Sequence, residues 1–204
     1  NMGGGAVWSV DEVAAVAEAA RARGVKVHMD GARLANAAVA AGVPLAAYGA
    51  LCDTVWLDFS KGLGAPIGAC LAGSGEAIHE AWRIKQQLGG AMRQAGIVAA
   101  AALHALDHHV ERLAEDHARA AELAAAVREL PGLDLVNPPV ETNLVFFSTE
   151  GSGWSAPALS EALAARGVRV GAIGPDTLRA CTHLDVDDAG IEQAIAALRQ
   201  LLAG

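Results

Sequence analysis

The chain of 204 residues is 53% hydrophobic and only 19% charged, with a formal net charge of −8. This composition excludes a disordered chain, and the scattered basic residues, with no run of five, exclude a basic surface for nucleic acid. The apolar run at residues 97–103 is too short to cross a bilayer. We therefore expect a folded enzyme or binding domain with no nucleic-acid partner and no membrane span.

The first half of the chain alternates helix and strand patterns. Ser9 and Glu12 have the spacing of a capping box and predict a helix that ends at Gly24. The following patterns predict a strand at 25–29, a helix at 33–41, strands at 54–59 and 67–72, and a helix at 76–88. Alternation of this kind is typical of an α/β fold with a mainly parallel sheet.

The second half of the chain has a different order of predicted helices and strands. One long helix is predicted at 93–130, with a pivot near 107–109, and it ends at Pro131 and Gly132. Strands then follow at 133–136, 143–147, 168–170 and 178–182, with helices at 156–166 and 187–202. This order predicts a small α+β domain, so we place two domains at residues 1–107 and 108–204.

Lys61 directly follows a strand pattern and precedes a glycine-rich turn that contains Gly62, Gly64 and Gly68. Desolvation at such a place would make the amine a nucleophile, which favours a Schiff-base lysine. The alternative is a lysine that extends from a strand end to water. Position alone leaves both interpretations open.

Asp30 directly follows the predicted strand at 25–29 and lies 31 residues before Lys61. Ligands of parallel sheets bind beyond the carboxyl ends of the strands, where these two side chains would converge. A carboxylate there can keep a pyridine nitrogen protonated, and Arg33 could reach the same cleft. The alternatives are an Asp that caps the next helix and an Arg on its exposed first turn. Together, Asp30 and Lys61 suggest pyridoxal phosphate as the cofactor.

Five segments carry a family resemblance that spans essentially the whole chain. They are HMDGARLANA (28–37), SKGLGAPIG (60–68), LGGAMRQAG (88–96), VETNLVFF (140–147) and RACTHLDV (179–186). The chain resembles the low-specificity L-threonine aldolases, which belong to the fold type I group of pyridoxal-phosphate enzymes. The resemblance implies that residues 1–107 are the later part of a cofactor-binding large domain and that residues 108–204 are the small C-terminal domain.

The resemblance also implies roles for single residues. Lys61 matches the lysine that holds the cofactor as a Schiff base, Asp30 matches the partner of the pyridine nitrogen, and Ser60 belongs to the same cofactor-binding segment. Arg33 matches an arginine near the cofactor O3′ and the substrate carboxylate. Arg179 matches the arginine that binds the α-carboxylate, a task that suits its bidentate geometry. Arg93 matches a residue that reaches a neighbouring subunit's cofactor phosphate.

The implied reaction is retro-aldol cleavage of L-threonine and related β-hydroxy-α-amino acids to glycine and an aldehyde. The alternatives are another reaction on the same fold, namely β-elimination, racemisation or transamination, and a fragment without catalysis of its own. The last is kept because the family places its phosphate-binding loop, its ring-stacking imidazole and a second histidine before the point that matches Asn1. The resemblance implies a homotetramer, a dimer of dimers, whose sites the missing N-terminal half completes.

Metal and disulfide chemistry are not predicted. His104 and His108 have helical metal-ligand spacing, but no third ligand is evident nearby. Cys52, Cys70 and Cys181 are odd in number and form no CxxC pair, so we expect buried, reduced thiols and a cytoplasmic protein.

Overall fold

The computed structural model describes residues 3–203, and these divide into two compact units. Residues 8–113 form the first unit, and residues 3–7 with 114–203 form the second. The predicted boundary at residue 107 falls inside a helix, α5 (Gly96–His108), whereas the observed division follows Leu113. The assignment of the units to a cofactor domain and a small domain stays a prediction.

The first unit contains eight elements in the described chain. They are α1 (Val10–Arg21), β1 (His28–Gly31), α2 (Leu34–Ala41), α3 (Leu45–Gly49), β2 (Thr54–Asp58), β3 (Ala69–Gly73), α4 (Gly75–Gln87) and α5. The capping box at α1 is confirmed, since Ser9 Oγ accepts the Glu12 N–H at 3.2 Å and Glu12 Oε2 accepts the Ser9 N–H at 2.7 Å. The short α3 was not predicted; it buries Tyr48, whose hydroxyl donates to the Trp8 carbonyl at 2.7 Å.

The sheet of the first unit has the order β1-β2-β3. Strands β1 and β2 are parallel, with Asp30 opposite Trp56, whereas β3 runs antiparallel to β2. The α/β class is confirmed, but the expectation of a mainly parallel sheet does not hold for β3. Only residues 59–68 separate β2 from β3, and a return to a parallel strand needs a crossover of about a dozen residues or more.

Two small cores hold this unit together. Leu34, Ala38 and Tyr48 pack with the sheet residues Met29 and Val55. A second cluster joins the turn after β2 to α2 and α5, and consists of Ala35, Phe59, Leu63, Ala65, Ala105 and Leu113. In contrast, all five residues of β3 are exposed.

The second unit is built on a four-stranded antiparallel sheet. Its elements are α6 (Leu113–Glu129, whose first residue belongs to the first unit), β4 (Asp134–Leu135), β5 (Leu144–Ser148), α7 (Ala156–Ala164), β6 (Gly171–Ala172), β7 (Thr177–Cys181) and α8 (Asp188–Leu202). The strand order is β4-β5-β7-β6, and every pair is antiparallel. Leu123, Val127, Phe147, Leu159 and Leu178 lie at the centre of a single buried core.

Two predicted strands begin three residues later than expected. The residues before them close the preceding helices: Val25 donates its N–H to the Ala20 carbonyl, and Val168 donates to the Leu163 carbonyl, each at 3.0 Å. The preceding glycines, Gly24 and Gly167, have left-handed φ values of 69° and 80°. This is the hydrogen-bonding pattern of a Schellman motif, so these N–H groups are not available to a strand ladder.

The long helix predicted at 93–130 is two helices, α5 and α6, interrupted by residues 109–112. The break begins at residue 109, within the predicted pivot at 107–109. The start at residue 93 is wrong, because α5 begins at Gly96 and Gln94 has a φ of 55°, in the left-handed region. Arg93 therefore lies in the connection between α4 and α5.

The cysteines are free thiols, but burial was predicted wrongly for two of them. Cys70 and Cys181 are exposed, and Cys52 is half-buried. On β7 the alternation of the strand turns Leu178 and Ala180 inward and Cys181 outward. Within residues 3–203, the helices fall short of the length and apolarity that a bilayer span requires.

Strands β1 and β2 approach so closely at Gly31 that no side chain fits there. A Cβ atom on this residue would lie 1.9 Å from the Trp56 carbonyl oxygen. We expect Gly31→Ala to lower the free energy of unfolding by about 3 kcal/mol, because the backbone of β2 would have to move. Urea denaturation followed by circular dichroism measures this difference.

Gly75→Ala is the matched control, because its new Cβ would have no neighbour within 4 Å. The residue begins α4, so this change should alter stability by less than about 0.5 kcal/mol or raise it slightly. Equal stability of the two variants would contradict the proposed steric constraint at Gly31.

His117 gives the second unit a pH dependence. It lies on α6 and is half-buried, and burial lowers its pKa, opposed by the charge of Asp116. As the pH falls, the unfolded chain takes up this proton first, so stability decreases from about pH 7.5 towards pH 5. His117→Gln should reduce that loss, measured as melting temperature against pH, whereas the exposed His79→Gln on α4 should leave it unchanged. An equal loss in all three proteins would exclude His117 as the cause.

Candidate functional site

The turn after β2 holds Lys61 in a defined backbone conformation. Phe59 donates its N–H to the Gly68 carbonyl at 3.0 Å, and Ala65 donates back to the Phe59 carbonyl at 2.8 Å. Gly64 has a φ of 70° and Gly68 a φ of 120°, so both occupy the region that favours glycine. The glycine-rich segment therefore forms a closed turn that returns the chain into β3.

Ser60 lies at the neck of this turn. Its hydroxyl accepts the Gly68 N–H at 2.9 Å, and its own N–H donates to Asp58 Oδ1 at 2.8 Å. The side chain thus stabilises the turn that carries Lys61. Its predicted role towards a cofactor stays a prediction.

The Lys61 side chain is about 40% exposed. Its ammonium contacts the carboxylate of Asp58, which is buried, and lies 5.4 Å from the centre of the Trp56 ring. The sequence left two interpretations open for Lys61, and the role of its amine stays a prediction. Neither Asp58 nor Trp56 was identified from the sequence. A carboxylate at the end of the apolar strand TVWLD was the available signal.

Asp30 lies on β1 directly opposite Trp56. Opposed residues of neighbouring strands face the same side of a sheet, and so do Trp56 and Asp58, two residues apart. Asp30 is exposed, and its Oδ1 accepts the Ala32 N–H at 3.0 Å. It does not cap α2, since Arg33 occupies that N-cap position. The structure therefore brings Asp30 and the two residues that contact Lys61 to one face of two neighbouring strands.

Arg33 is half-buried at the start of α2, not on an exposed first turn. The same helix carries Asn36, a buried polar residue that sequence reasoning missed. A Cβ on Gly62 would lie 2.9 Å from Asn36 Oδ1, so α2 packs closely on the residue after Lys61. The signal for Asn36 is a lone amide within the apolar helix LANAAVAA.

Two further predicted residues lie on other elements of the chain. Arg93 is exposed in the connection between α4 and α5 of the first unit. Arg179 is exposed on β7 of the second unit, opposite Phe146 on β5.

Three histidines cluster at the end of α5. The rings of His104 and His108 are 4.4 Å apart, and those of His104 and His109 are 5.3 Å apart. His109 Nδ1 lies 2.7 Å from the Leu63 carbonyl oxygen, which can only accept a hydrogen bond, so Nδ1 carries the proton. Among residues 3–203 no three metal-ligating side chains come together in a geometry that could hold a metal ion. The role seen for His109 is to tie α5 to the turn that carries Lys61.

The sequence matches a known protein family and several of its members. The Beta-eliminating lyase family matches residues 1–150. The chain is 36% identical over 200 residues to low-specificity L-threonine aldolase 1 of Arabidopsis thaliana, covering 98% of this chain and 56% of that protein. It is 40% identical over 186 residues to the low-specificity L-threonine aldolase of Escherichia coli K12, covering 91% of this chain and 54% of that protein.

The fold also matches solved structures. A threonine aldolase from Leishmania major superposes with a TM-score of 0.78 at 20% identity, over 96% of this chain and 57% of that one. At this identity the likeness shows the fold alone, and it confirms the expected fold type I class. The chain spans about half the length of the relatives it matches. Because the family match covers most of the sequence, the chain belongs to the Beta-eliminating lyase family.

Proposed function

We propose that the protein is a pyridoxal-phosphate-dependent aldolase that cleaves L-threonine and related β-hydroxy-α-amino acids to glycine and an aldehyde. One observation carries this proposal. The Lys61 ammonium lies over the Trp56 ring, and Trp56 lies opposite Asp30 on the neighbouring strand. The similarity to threonine aldolases supports the reaction, over about half of the length of those relatives.

The residues present fit the cofactor. Pyridoxal phosphate offers an aldehyde and a basic ring nitrogen, and this face of the sheet offers an amine on Lys61 and a carboxylate on Asp30. The missing Cβ at Gly31 allows β1 to approach β2 closely, which keeps Asp30 beside the strand that carries the lysine. When bound, the cofactor withdraws electrons from the substrate Cα and so allows the Cα–Cβ bond to break.

The side chains of this chain would then do the following. Lys61 holds the cofactor covalently through its amine, with Ser60 and Arg33 in the same cofactor site, and Asp30 keeps the proton on the ring nitrogen. Arg179, with Arg33, binds the substrate carboxylate, for which a guanidinium has the matching pair of N–H donors. Arg93 would contact the cofactor phosphate of a neighbouring subunit.

We propose further that the protein works as a homotetramer, a dimer of dimers, in the cytoplasm. The exposed Arg93 supports a site shared between subunits, and the free thiols suit a reducing compartment. Light scattering of the purified protein measures the assembly.

Lys61→Ala should abolish the release of glycine and acetaldehyde from L-threonine, because no other side chain of the proposed site would hold the cofactor covalently. The protein has three lysines, Lys26, Lys61 and Lys85. After addition of pyridoxal phosphate and borohydride, peptide mass spectrometry should find the reduced adduct on Lys61. Lys85→Ala should keep both the adduct and the activity. An adduct confined to another lysine, or 2-oxobutanoate as the product, would contradict the proposal, and a chain that forms no adduct would support the incomplete fragment.

Asp30→Ala should lower kcat by about 100-fold or more while the borohydride adduct on Lys61 still forms, since the carboxylate acts on the ring and not on the amine. Asp134→Asn, an exposed carboxylate on β4 of the second unit, is the matched control and should retain full activity. Retention of wild-type kcat by Asp30→Ala would remove Asp30 from the site.

A further inference from the structure

Asp58 is an unusual residue for its position. It is the last residue of β2 and is buried, whereas the four residues before it are half-buried and uncharged. A buried carboxylate without partners is strongly unfavourable, so its contacts must compensate for the lost water. The structure supplies two of them, namely the Ser60 N–H at 2.8 Å and the Lys61 ammonium.

The two oxygens of the Asp58 carboxylate have different partners. One oxygen, Oδ1, accepts from the Ser60 backbone and so fixes the first residue of the turn. The other, Oδ2, faces the Lys61 ammonium. The Trp56 ring, two residues earlier on the same face, lies beneath that ammonium at 5.4 Å, a distance at which a cation is attracted to an aromatic face.

We propose that Asp58 is a positioning residue for Lys61. Its carboxylate holds the lysine as an ammonium ion above Trp56, on the sheet face that also carries Asp30, until this ion pair is broken and the amine is released to react. This inference rests on the proposed function of Lys61. The new element is that Asp58 controls when the Lys61 amine can react. Asp58 does so through its contact with the lysine and does not touch the cofactor.

Other titratable groups surround the turn and must be considered. Asp30 lies on β1 opposite Trp56, Arg33 starts α2, and His109 after α5 bonds to the Leu63 carbonyl. The structure shows the Lys61 ammonium in contact with the Asp58 carboxylate and over the Trp56 ring. The test therefore changes this carboxylate alone.

Asp58→Asn is the informative variant. The amide oxygen can still accept the Ser60 N–H, so the turn is kept and the melting temperature should stay close to that of the wild type. The charge is lost, and Lys61, being partly exposed, can turn to water. Asp58→Ala loses both contacts and should also lower the melting temperature.

The readout is the reactivity of the Lys61 amine in the cofactor-free protein. Acetic anhydride modifies only neutral amines, and peptide mass spectrometry gives the rate at each lysine, with the exposed Lys85 as internal reference. At pH 7.5, Asp58→Asn should raise the rate at Lys61 relative to Lys85 by about threefold or more, a gain reduced by the partial exposure of the lysine. At pH 11, which lies above the ordinary lysine pKa of about 10.4, the two ratios should converge.

The control is Asp53→Asn at the approach to β2. Asp53 pairs with the exposed Lys26 at 2.8 Å, and this hydrogen bond raises the pKa of Lys26. This variant should speed acetylation of Lys26 at pH 7.5 and leave Lys61 unchanged.

Two results would overturn the proposal. An unchanged ratio at pH 7.5 in Asp58→Asn would show that the carboxylate does not hold the ammonium. An equal increase at both pH values would show that the substitution merely exposes the lysine. Because no cofactor is added, this outcome is independent of the borohydride experiment that tests the function of Lys61 itself.

Discussion

The close approach of β1 to β2 is the constraint on which the candidate site depends. The two strands are hydrogen-bonded in parallel register, and the missing side chain at Gly31 leaves room for the Trp56 carbonyl. That register puts Asp30 opposite Trp56 and therefore on the side of the sheet where the lysine lies. A shift by one residue would turn the carboxylate to the other face. The chemistry is thus positioned by backbone pairing and not by flexible loops.

The turn after β2 is itself held by contacts on both sides of Lys61. Hydrogen bonds from Ser60 close its neck, α2 packs on Gly62 through Asn36, and His109 binds the carbonyl of Leu63. A hydrogen bond within the turn and contacts from α2 and from the end of α5 therefore hold the residues on either side of Lys61. Such support from surrounding residues is what keeps a reactive side chain in one geometry.

Much of the fold follows from local sequence signals. Helix starts at Ser9, Ser74 and Asp187 have side-chain caps, and the strands that carry the site follow from apolar runs. The strand starts at residues 25 and 168 were placed too early, because apolar residues after a glycine-terminated helix also complete a Schellman motif. A strand start and a Schellman motif both place apolar residues after the glycine. Only the hydrogen-bond partner of the backbone N–H distinguishes the two structures. Asp58 and Asn36 were missed for a related reason: their importance lies in tertiary contacts, which a single sequence does not show.

The exposure of β3 has a consequence for handling the protein. Within residues 3–203 this strand is the last of its sheet, and ACLAG contains neither a charge nor a proline. Natural proteins usually protect such edges with lysine, proline or a covering element, because open backbone groups recruit other strands. The chain is therefore expected to associate through this edge at high concentration. Low protein concentration and reducing conditions, which keep Cys70 from crosslinking the paired edges, are the appropriate starting point for work in solution.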